Sequence, residues 1–185
     1  MEYKYLSHKF SLSEPASLPW HLLRMRPQNF PFVRIAQLSK LYHERHTSLS
    51  QFLECDSVED IYRLLSCGVS EYWEKHYVFG KESKHNAKHL SHTNASLVVI
   101  NCVIPMLFAY GRHSGSDALC DKALSFLDSI KAEDNNITRL WKNVGLDIAT
   151  AGDSQALIQL KKMYCDRKDC LRCRIGYEFL KKTKK

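Results

Sequence analysis

One apolar segment constrains the fold of this chain more than any other feature. Residues 97–109 read LVVINCVIPMLFA, and only Asn101 and Pro105 interrupt the run. A helix that is apolar on nearly every side must be surrounded by other elements, so the pattern predicts a buried helix over residues 95–109, capped by Asn94. Pro105 is expected to kink this helix, because proline lacks the N–H that the helix needs. The apolar run is also too short to cross a bilayer, which takes about 20 residues.

The residues Leu97–Cys102 also fit a buried strand, because β-branched side chains are frequent there. We prefer the helix because the rest of the chain offers no partner strand. Amphipathic spacing and stop signals predict further helices near residues 20–25, 32–45, 48–54, 57–68, 70–80, 119–130, 135–145, 153–164 and 172–182. The chain is therefore predicted to be all-α, an irregular bundle of about eight helices around the central apolar helix.

Local signals place several helix starts and buried faces. Ser57 with Asp60 three residues later has the pattern of a capping box. Asp153 or Ser154 is expected to cap a later helix. Apolar side chains are expected to point inward at positions 32, 35, 36, 38, 41 and 42, at 72, 73, 77 and 79, and at 137, 140, 141 and 144.

The two ends of the chain differ from this helical body. Residues 1–19 are mixed in composition and end in SEPASLP, so we predict a linker-like segment with little structure of its own. Residues 20–185 are predicted to form a single helical domain. The last part of that domain, residues 161–185, carries three cysteines and many basic residues.

The net charge of +7 is confined to that C-terminal segment. Residues 161–185 hold ten Lys or Arg against three acidic residues, while residues 1–160 hold 17 of each sign. Such an end favours an anionic partner, most simply DNA or RNA. The candidate contacts in this segment are Lys161, Lys162, Arg167, Lys168, Arg172 and Arg174. The alternative is a solvated basic terminus, because similar tails occur on proteins that bind no nucleic acid.

A second candidate nucleic-acid surface lies near the start of the helical body. Arg24, Arg26 and Arg34 flank the turn RPQNFP, and arginine binds phosphate in a bidentate manner. Phe30 and Phe32 between them would allow stacking on bases. The alternative, which we favour, is that the arginines pair with acidic residues of the protein while the phenylalanines fill the core.

The strongest candidate for a metal site is the set Cys165, Cys170 and Cys173. Its spacing, C-x4-C-x2-C, occurs in sites that bind Zn²⁺ or an iron–sulfur cluster. A fourth ligand would have to come from elsewhere in the chain, because no cysteine follows Cys173. Two alternatives remain: three reduced cysteines that pack or lie at the surface, or a reactive group of thiols activated by neighbouring arginines.

Other signals for chemistry are weak. His85, His89 and His92 would share one face of a helix, but their segment is polar and fits a solvated loop better. No phosphate-binding loop, dinucleotide fingerprint or HExxH motif occurs, so the chain alone is not predicted to be an enzyme. Seven cysteines and the absence of an apolar leader in the first twenty residues predict a cytoplasmic protein without a membrane partner.

Five blocks of the sequence resemble a known family. They are RMRPQNFPFVRIAQLSKLYH (24–43), YWEKHYVFG (72–80), INCVIPMLFAYG (100–111), DSQALIQLKKMYC (153–165) and CLRCRIG (170–176). Together they resemble the C-terminal half of the bacterial DUF2851 family, a group of proteins of unknown function. The resemblance covers residues from about 20 to 180 of this chain.

The resemblance implies a partner for this chain. The N-terminal half of DUF2851 members carries GPDF and GNVEIH segments, which are similar to the metal-binding core of restriction-endonuclease-like nucleases. Neither segment occurs here. The resemblance therefore implies a helical nucleic-acid-binding or accessory module that accompanies a nuclease-like half. The alternative is a structural or protein-interaction domain without nucleic-acid contact, stabilised by a cysteine-bound metal and docked through its basic end on an acidic protein partner.

Overall fold

The structure, a computed structural model, describes residues 2–13 and 22–182. Helices dominate these residues, which confirms the predicted all-α class. The elements are α1 (Glu2–Lys9), α2 (Pro31–Arg45), α3 (Leu49–Glu54), α4 (Val58–Leu65), α5 (Glu71–Glu74), β1 (His76–Val78), β2 (Lys81–Glu82), α6 (His92–Val98), α7 (Ile104–Ser114), α8 (Asp117–Ser129), α9 (Asn136–Asn143), α10 (Ala151–Leu160) and α11 (Arg174–Lys182). A 3₁₀ turn (Pro27–Asn29) precedes α2, and two π-helical turns follow α6 and α10.

The helical conformation of the central apolar segment is confirmed, and the helix is longer than predicted. The expected burial on nearly every side was wrong, because Leu97, Met106 and Phe108 are exposed. Helices α6 and α7 are continuous through a π-helical turn at Val99–Val103, in which the Ile104 N–H donates to the carbonyl of Val99. The wide turn lies just before Pro105, whose ring would otherwise collide with a carbonyl of the preceding turn. The helix begins at His92 rather than 95, because Ser91 caps it and accepts a hydrogen bond from the N–H of Asn94. The prediction that Asn94 is the cap was wrong.

The buried side of this helix forms the centre of the main core. Val99, Val103 and Leu107 are almost fully buried, and they belong to the same cluster as Ile61 of α4 and Phe126 of α8. The amphipathic face predicted for residues 119–130 is therefore confirmed. The strand alternative for Leu97–Cys102 is wrong, because these residues are helical and their buried side chains pack against other helices.

The continuous helix His92–Ser114 also corrects the expectation about membranes. The helix has 23 residues, and its most apolar 18-residue stretch has a mean hydropathy of 1.6, with 39% of that stretch buried. By length and composition alone, these values are sufficient to cross a bilayer. The length expected from residues 97–109 was too short because the polar ends are helical as well. Core helices of soluble proteins have the same properties, and the burial of Val99, Val103 and Leu107 in the main core agrees with that role.

Helices α7 and α8 approach each other closely at a glycine. A Cβ atom placed on Gly111 would lie 3.0 Å from the Sγ atom of Cys120 and 3.1 Å from its backbone nitrogen. Gly115 ends α7 in the left-handed conformation, with φ of 69°, which a residue without a side chain adopts at no steric cost. These two glycines therefore allow the chain to turn back and pack α8 directly against α7.

Of the two other predicted caps, one is correct and one is displaced along the chain. Ser57 and Asp60 form the expected capping box at the start of α4. The prediction that Asp153 or Ser154 caps α10 was wrong, because Thr150 occupies the cap and Asp153 is its partner three residues later. Ser154 is buried inside the helix, where its hydroxyl donates to the Ala151 carbonyl at 2.9 Å. The sequence predicted a helix start in this region, but the predicted cap lies three to four residues too late in the chain.

Some predicted buried faces are exposed. In α2 the buried residues include Val33, Ala36 and Leu41, while Ile35 and Leu38 lie outside. Tyr42 of α2 is exposed as well. The two other predicted inward sets also contain exposed residues, namely Tyr72, Phe79, Leu140 and Val144. Helix α2 packs on Val69 and Trp73 in a small second core. The row of α2 that faces these residues is therefore buried, while the row of Ile35 and Leu38 stays exposed.

Three expectations about minor segments need correction. Residues 2–9 form α1, so the predicted linker over 1–19 has a helix, while residues 14–19 lie outside the described residues. Residues 22–25 form a turn rather than the predicted helix, whose first two residues are also outside that range. Contrary to the expectation of no strand, β1 and β2 form an antiparallel hairpin in which Val78 pairs with Lys81.

Candidate binding surfaces

The basic C-terminal segment is a pair of helices joined by a tight turn. The N–H of Lys168 donates to Cys165 at 3.1 Å, and the N–H of Asp169 donates to Tyr164 at 2.9 Å. This pair of hydrogen bonds is a Schellman motif, in which Lys168 takes the left-handed position with φ of 55°. The chain then reverses into α11, whose Gly176 lies so close to Cys170 that a Cβ would be 2.7 Å from its carbonyl oxygen.

Local ion pairs neutralise half of the predicted contacts in this segment. Its three acidic residues, Asp166, Asp169 and Glu178, each bind a nearby cation. The pairs are Lys161 with Asp166, Arg172 with Asp169 at 2.8 Å, and Arg174 with Glu178 at 3.3 Å.

The other three predicted contacts are Lys162, Arg167 and Lys168. All three are exposed, and none forms an ion pair within residues 2–13 and 22–182. These three predicted contacts therefore remain available near the C-terminal end of the helix that begins with α10.

The arginines near the RPQNFP turn have different environments. The guanidinium of Arg34 donates to Gln37 at 3.0 Å and to Asn29 at 2.7 Å, and burial lowers the pKa of Arg34. Its partners are amides rather than the acidic residues that we expected, but its role is structural. Arg24 and Arg26 are exposed, so they stay candidates for contact with phosphate.

The predicted metal ligands do not assemble into a site. Cys165 and Cys170 are exposed while Cys173 is buried, and all three are free thiols. Across the part of the chain that the structure describes, no group of three or more His, Cys, Asp or Glu side chains is arranged to hold a metal ion. The spacing C-x4-C-x2-C is therefore present in the sequence without the geometry of a Zn²⁺ or iron–sulfur site.

The histidine set is dispersed in the same way. The Nε2–H of His85 donates a hydrogen bond to the carboxylate of Glu74 at 3.0 Å. The ring of His92 packs on Tyr62 with 4.4 Å between centroids. His89 lies in the segment before α6, which has no regular structure. The preference for a solvated loop over a metal-binding helix agrees with this arrangement.

A second surface was missed by the sequence analysis. It is an apolar groove of about 450 Å³ between α2, α5 and the turn of the β hairpin. Its lining residues are Phe32, Ile35, Ala36, Ser39, Lys40, His43, Ser70, Trp73 and Phe79. These residues together form the apolar groove. Apart from Ser70, the lining residues belong to two of the blocks that resemble the DUF2851 family, 24–43 and 72–80.

The aromatic side chains of the apolar groove are held in place without being fully buried. The rings of Trp73 and Phe79 meet at 67° with centroids 4.9 Å apart, and those of Phe32 and Phe79 meet at 66° and 6.1 Å. The hydroxyl of Tyr72 accepts a hydrogen bond from the N–H of Gly80 at 3.1 Å, which ties α5 to the hairpin turn. Phe79 therefore stands at the rim of the groove in a defined orientation.

A buried lysine fixes the wall that carries Trp73. The ammonium of Lys88 donates to the carbonyls of Trp73 and Glu74, the latter at 2.9 Å, and lies 4.2 Å from the centre of the Tyr77 ring. The Lys88 carbonyl accepts from Gln37 of α2 at 2.6 Å. Burial lowers the pKa of Lys88. This residue thus links α2 and α5, the two helices that form the groove.

Comparison with known proteins identifies the family. A family model described as a protein of unknown function (DUF2851) matches residues 1–136, which is more than half of the 185 residues. The chain belongs to the DUF2851 family. No curated protein and no solved structure matches this DUF2851 protein.

The extent of the family match differs from the expected one. It begins at residue 1 rather than near 20, so it includes α1, and it ends at 136 rather than near 180. The apolar groove of this DUF2851 protein and its three N-terminal arginines lie inside the match. The basic segment and its cysteines lie outside, so the blocks at 153–165 and 170–176 receive no support from the family model.

Proposed function

We propose that this DUF2851 protein is a nucleic-acid-binding accessory module that contacts phosphates through its basic C-terminal segment. The observation that carries the proposal is the group Lys162, Arg167 and Lys168. These three cations are exposed around one helix end, whereas the neighbouring acidic residues are already paired with other cations. Arg24 and Arg26 are secondary candidates.

The chemistry of these side chains determines the kind of binding that we propose. Lysine and arginine bind phosphate oxygens, and phosphate contacts position a protein on nucleic acid without reading its sequence. Each neutralised phosphate releases counterions, so affinity falls with salt by a slope of about 0.9 per contact on duplex DNA. Three contacts would therefore contribute about 3 to the salt slope, independently of base sequence.

The biological setting is part of the same proposal. A nuclease-like domain is the proposed partner, and this part rests on the resemblance to full-length DUF2851 members. The cytoplasm is the proposed location, supported by seven cysteines that are all free thiols, because thiols persist in a reducing compartment.

The test is a binding titration by fluorescence anisotropy. Labelled single-stranded DNA, duplex DNA and RNA are titrated with the full chain at several salt concentrations. The variant K162Q/R167Q/K168Q is compared with the control R112Q/K131Q/K142Q, which loses the same charge from exposed positions outside the segment.

The two variants separate local binding from the effect of total charge. We expect the first variant to reduce the salt slope by about 3 and the control to leave it close to that of the wild type. Failure to bind any of the three probes at low salt would refute the proposal. An equal loss of affinity in both variants would refute the assignment to residues 162–168.

A further inference from the structure

We infer that the apolar groove is a docking site for an acidic, amphipathic segment of a partner protein. The inference concerns a surface different from the proposed phosphate-binding one, and it does not depend on nucleic-acid binding.

Exposure of apolar side chains beside the groove is the first argument. Ile35, Leu38 and Tyr42 are 49%, 52% and 56% exposed, and their spacing places them in one row along α2. Ile35 also lines the apolar groove, and Phe79 at its rim is 70% exposed. An exposed apolar row that continues from an apolar groove is a feature of protein-binding sites. The surface thus extends from the groove along the helix.

The shape of the groove favours an aliphatic or aromatic side chain over a nucleic-acid base. Stacking on a base requires an open, flat aromatic face. In the groove, however, the rings of Trp73, Phe79 and Phe32 meet edge to face, and Ile35 and Ala36 provide an aliphatic wall. Amphipathic helices bind such grooves with apolar side chains at positions i, i+3 or i+4, and i+7.

Charge complementarity specifies the polar part of the partner. The groove lining contains Lys40 and His43 but no carboxylate. Lys40 is held at the groove by a hydrogen bond to the Val69 carbonyl at 3.1 Å, and its ammonium lies 3.6 Å from the half-exposed carboxylate of Glu44. A lysine ammonium has three N–H donors, and these two contacts leave the third available to a carboxylate of the partner. The partner segment therefore carries acidic residues beside its apolar ones.

The groove also requires little reorganisation on binding. Lys88 joins the carbonyls of α5 to the segment that binds Gln37 of α2, so both walls are fixed by hydrogen bonds. A preformed site loses little conformational freedom when it is occupied, which favours affinity for a short segment.

The test uses a displayed library of random 16-residue peptides selected against the full chain. We expect the enriched peptides to combine apolar residues at helical spacing with Glu or Asp. Synthetic versions of the best peptides are then measured by anisotropy against I35E and against L140E. Leu140 lies on α9 and is 53% exposed, so L140E is a matched control for a new surface carboxylate.

Specific outcomes decide the inference. I35E is expected to weaken binding at least about tenfold and L140E less than about twofold, because loss of an interface centre typically costs more than 1 kcal/mol. The variant F79A should also lose affinity, whereas K162Q/R167Q/K168Q should bind the peptides as the wild type does. Enrichment without acidic residues, or equal binding to I35E and L140E, would overturn the inference. Displacement of the peptides by a twelve-residue oligothymidine would instead indicate a nucleic-acid site in the groove.

Discussion

Replacement of Gly111 by alanine tests the close packing of α7 on α8, which brings the central helix into the core. In an ordinary helix interior this change stabilises a protein by about 1 kcal/mol, because glycine has the greater freedom in the unfolded chain. Here the added methyl group would lie 3.0 Å from the Sγ of Cys120 and 3.1 Å from the Cβ of Leu119. Each distance is several tenths of an ångström shorter than an ordinary contact.

The expected free-energy change follows from these two opposing effects. Overpacking of a tight interface costs about 1–3 kcal/mol, and the helix-propensity gain offsets about 1 kcal/mol of it. We therefore expect G111A to lower the free energy of unfolding by about 1 kcal/mol. For a chain of this size, that change lowers the melting temperature by about 2–4 °C.

The assay is urea unfolding followed by circular dichroism, with G152A as the matched control. The new Cβ of G152A would lie 2.9 Å from the carboxylate end of Asp128, 3.4 Å from the Thr150 hydroxyl and 3.8 Å from the Cβ of Leu127. The last is an ordinary contact, and the Asp128 side chain can rotate away. G152A is accordingly expected to be neutral or slightly stabilising. If G111A instead stabilised the protein by about 1 kcal/mol, the close contact between α7 and α8 would be refuted.

Two further predictions concern protons and metals. Hydrogen bonds from Ser57 lower the pKa of Asp60, and the backbone N–H of Thr150 lowers that of Asp153, so the folded state loses their contribution as the pH falls below the ordinary value of 3.8. Urea midpoints of D60N/D153N between pH 3 and 6 should therefore depend less on pH than those of the wild type, and an unchanged dependence would contradict this. Elemental analysis of protein purified without added metal should show no stoichiometric zinc or iron, because the cysteine geometry provides no ligand set. One metal ion per chain that C170S removes would contradict that prediction.

The predictions that succeeded depend on residues close together in the chain. The capping box at Ser57 and Asp60 joins groups that are three residues apart in the chain. Such effects act within one or two turns, so the surrounding fold does not alter them. The helical class of the chain was predictable for the same reason.

The basic segment shows a case that sequence spacing predicts only in part. Asp169 and Arg172 are three residues apart, and Arg174 and Glu178 are four apart, both of which are spacings at which side chains meet on a helical turn. The spacing alone is therefore enough to predict that Arg172 and Arg174 form ion pairs and are poor candidates for phosphate contact. The left-handed conformation of Lys168, by contrast, could not be predicted from the sequence, because no glycine occupies that position.

The apolar groove was not predictable, because it joins residues that are far apart in the chain. Its walls come from residues 32–43 of α2 and residues 70–79 around α5 and the hairpin. Each segment alone has the apolar pattern of a core element, which is why Phe79 was expected to be buried. Only their mutual packing leaves the ring of Phe79 at the surface.

The amino-acid sequence alone determined the helical class, the apolar central helix and the concentration of positive charge after residue 160. These properties arise from hydrogen bonding, periodicity and composition, which are local. The tertiary structure decided which of two apolar rows on α2 is buried, which cations remain unpaired, and where the groove lies. Burial depends on the partner that a surface meets across space, and no short stretch of sequence contains that information.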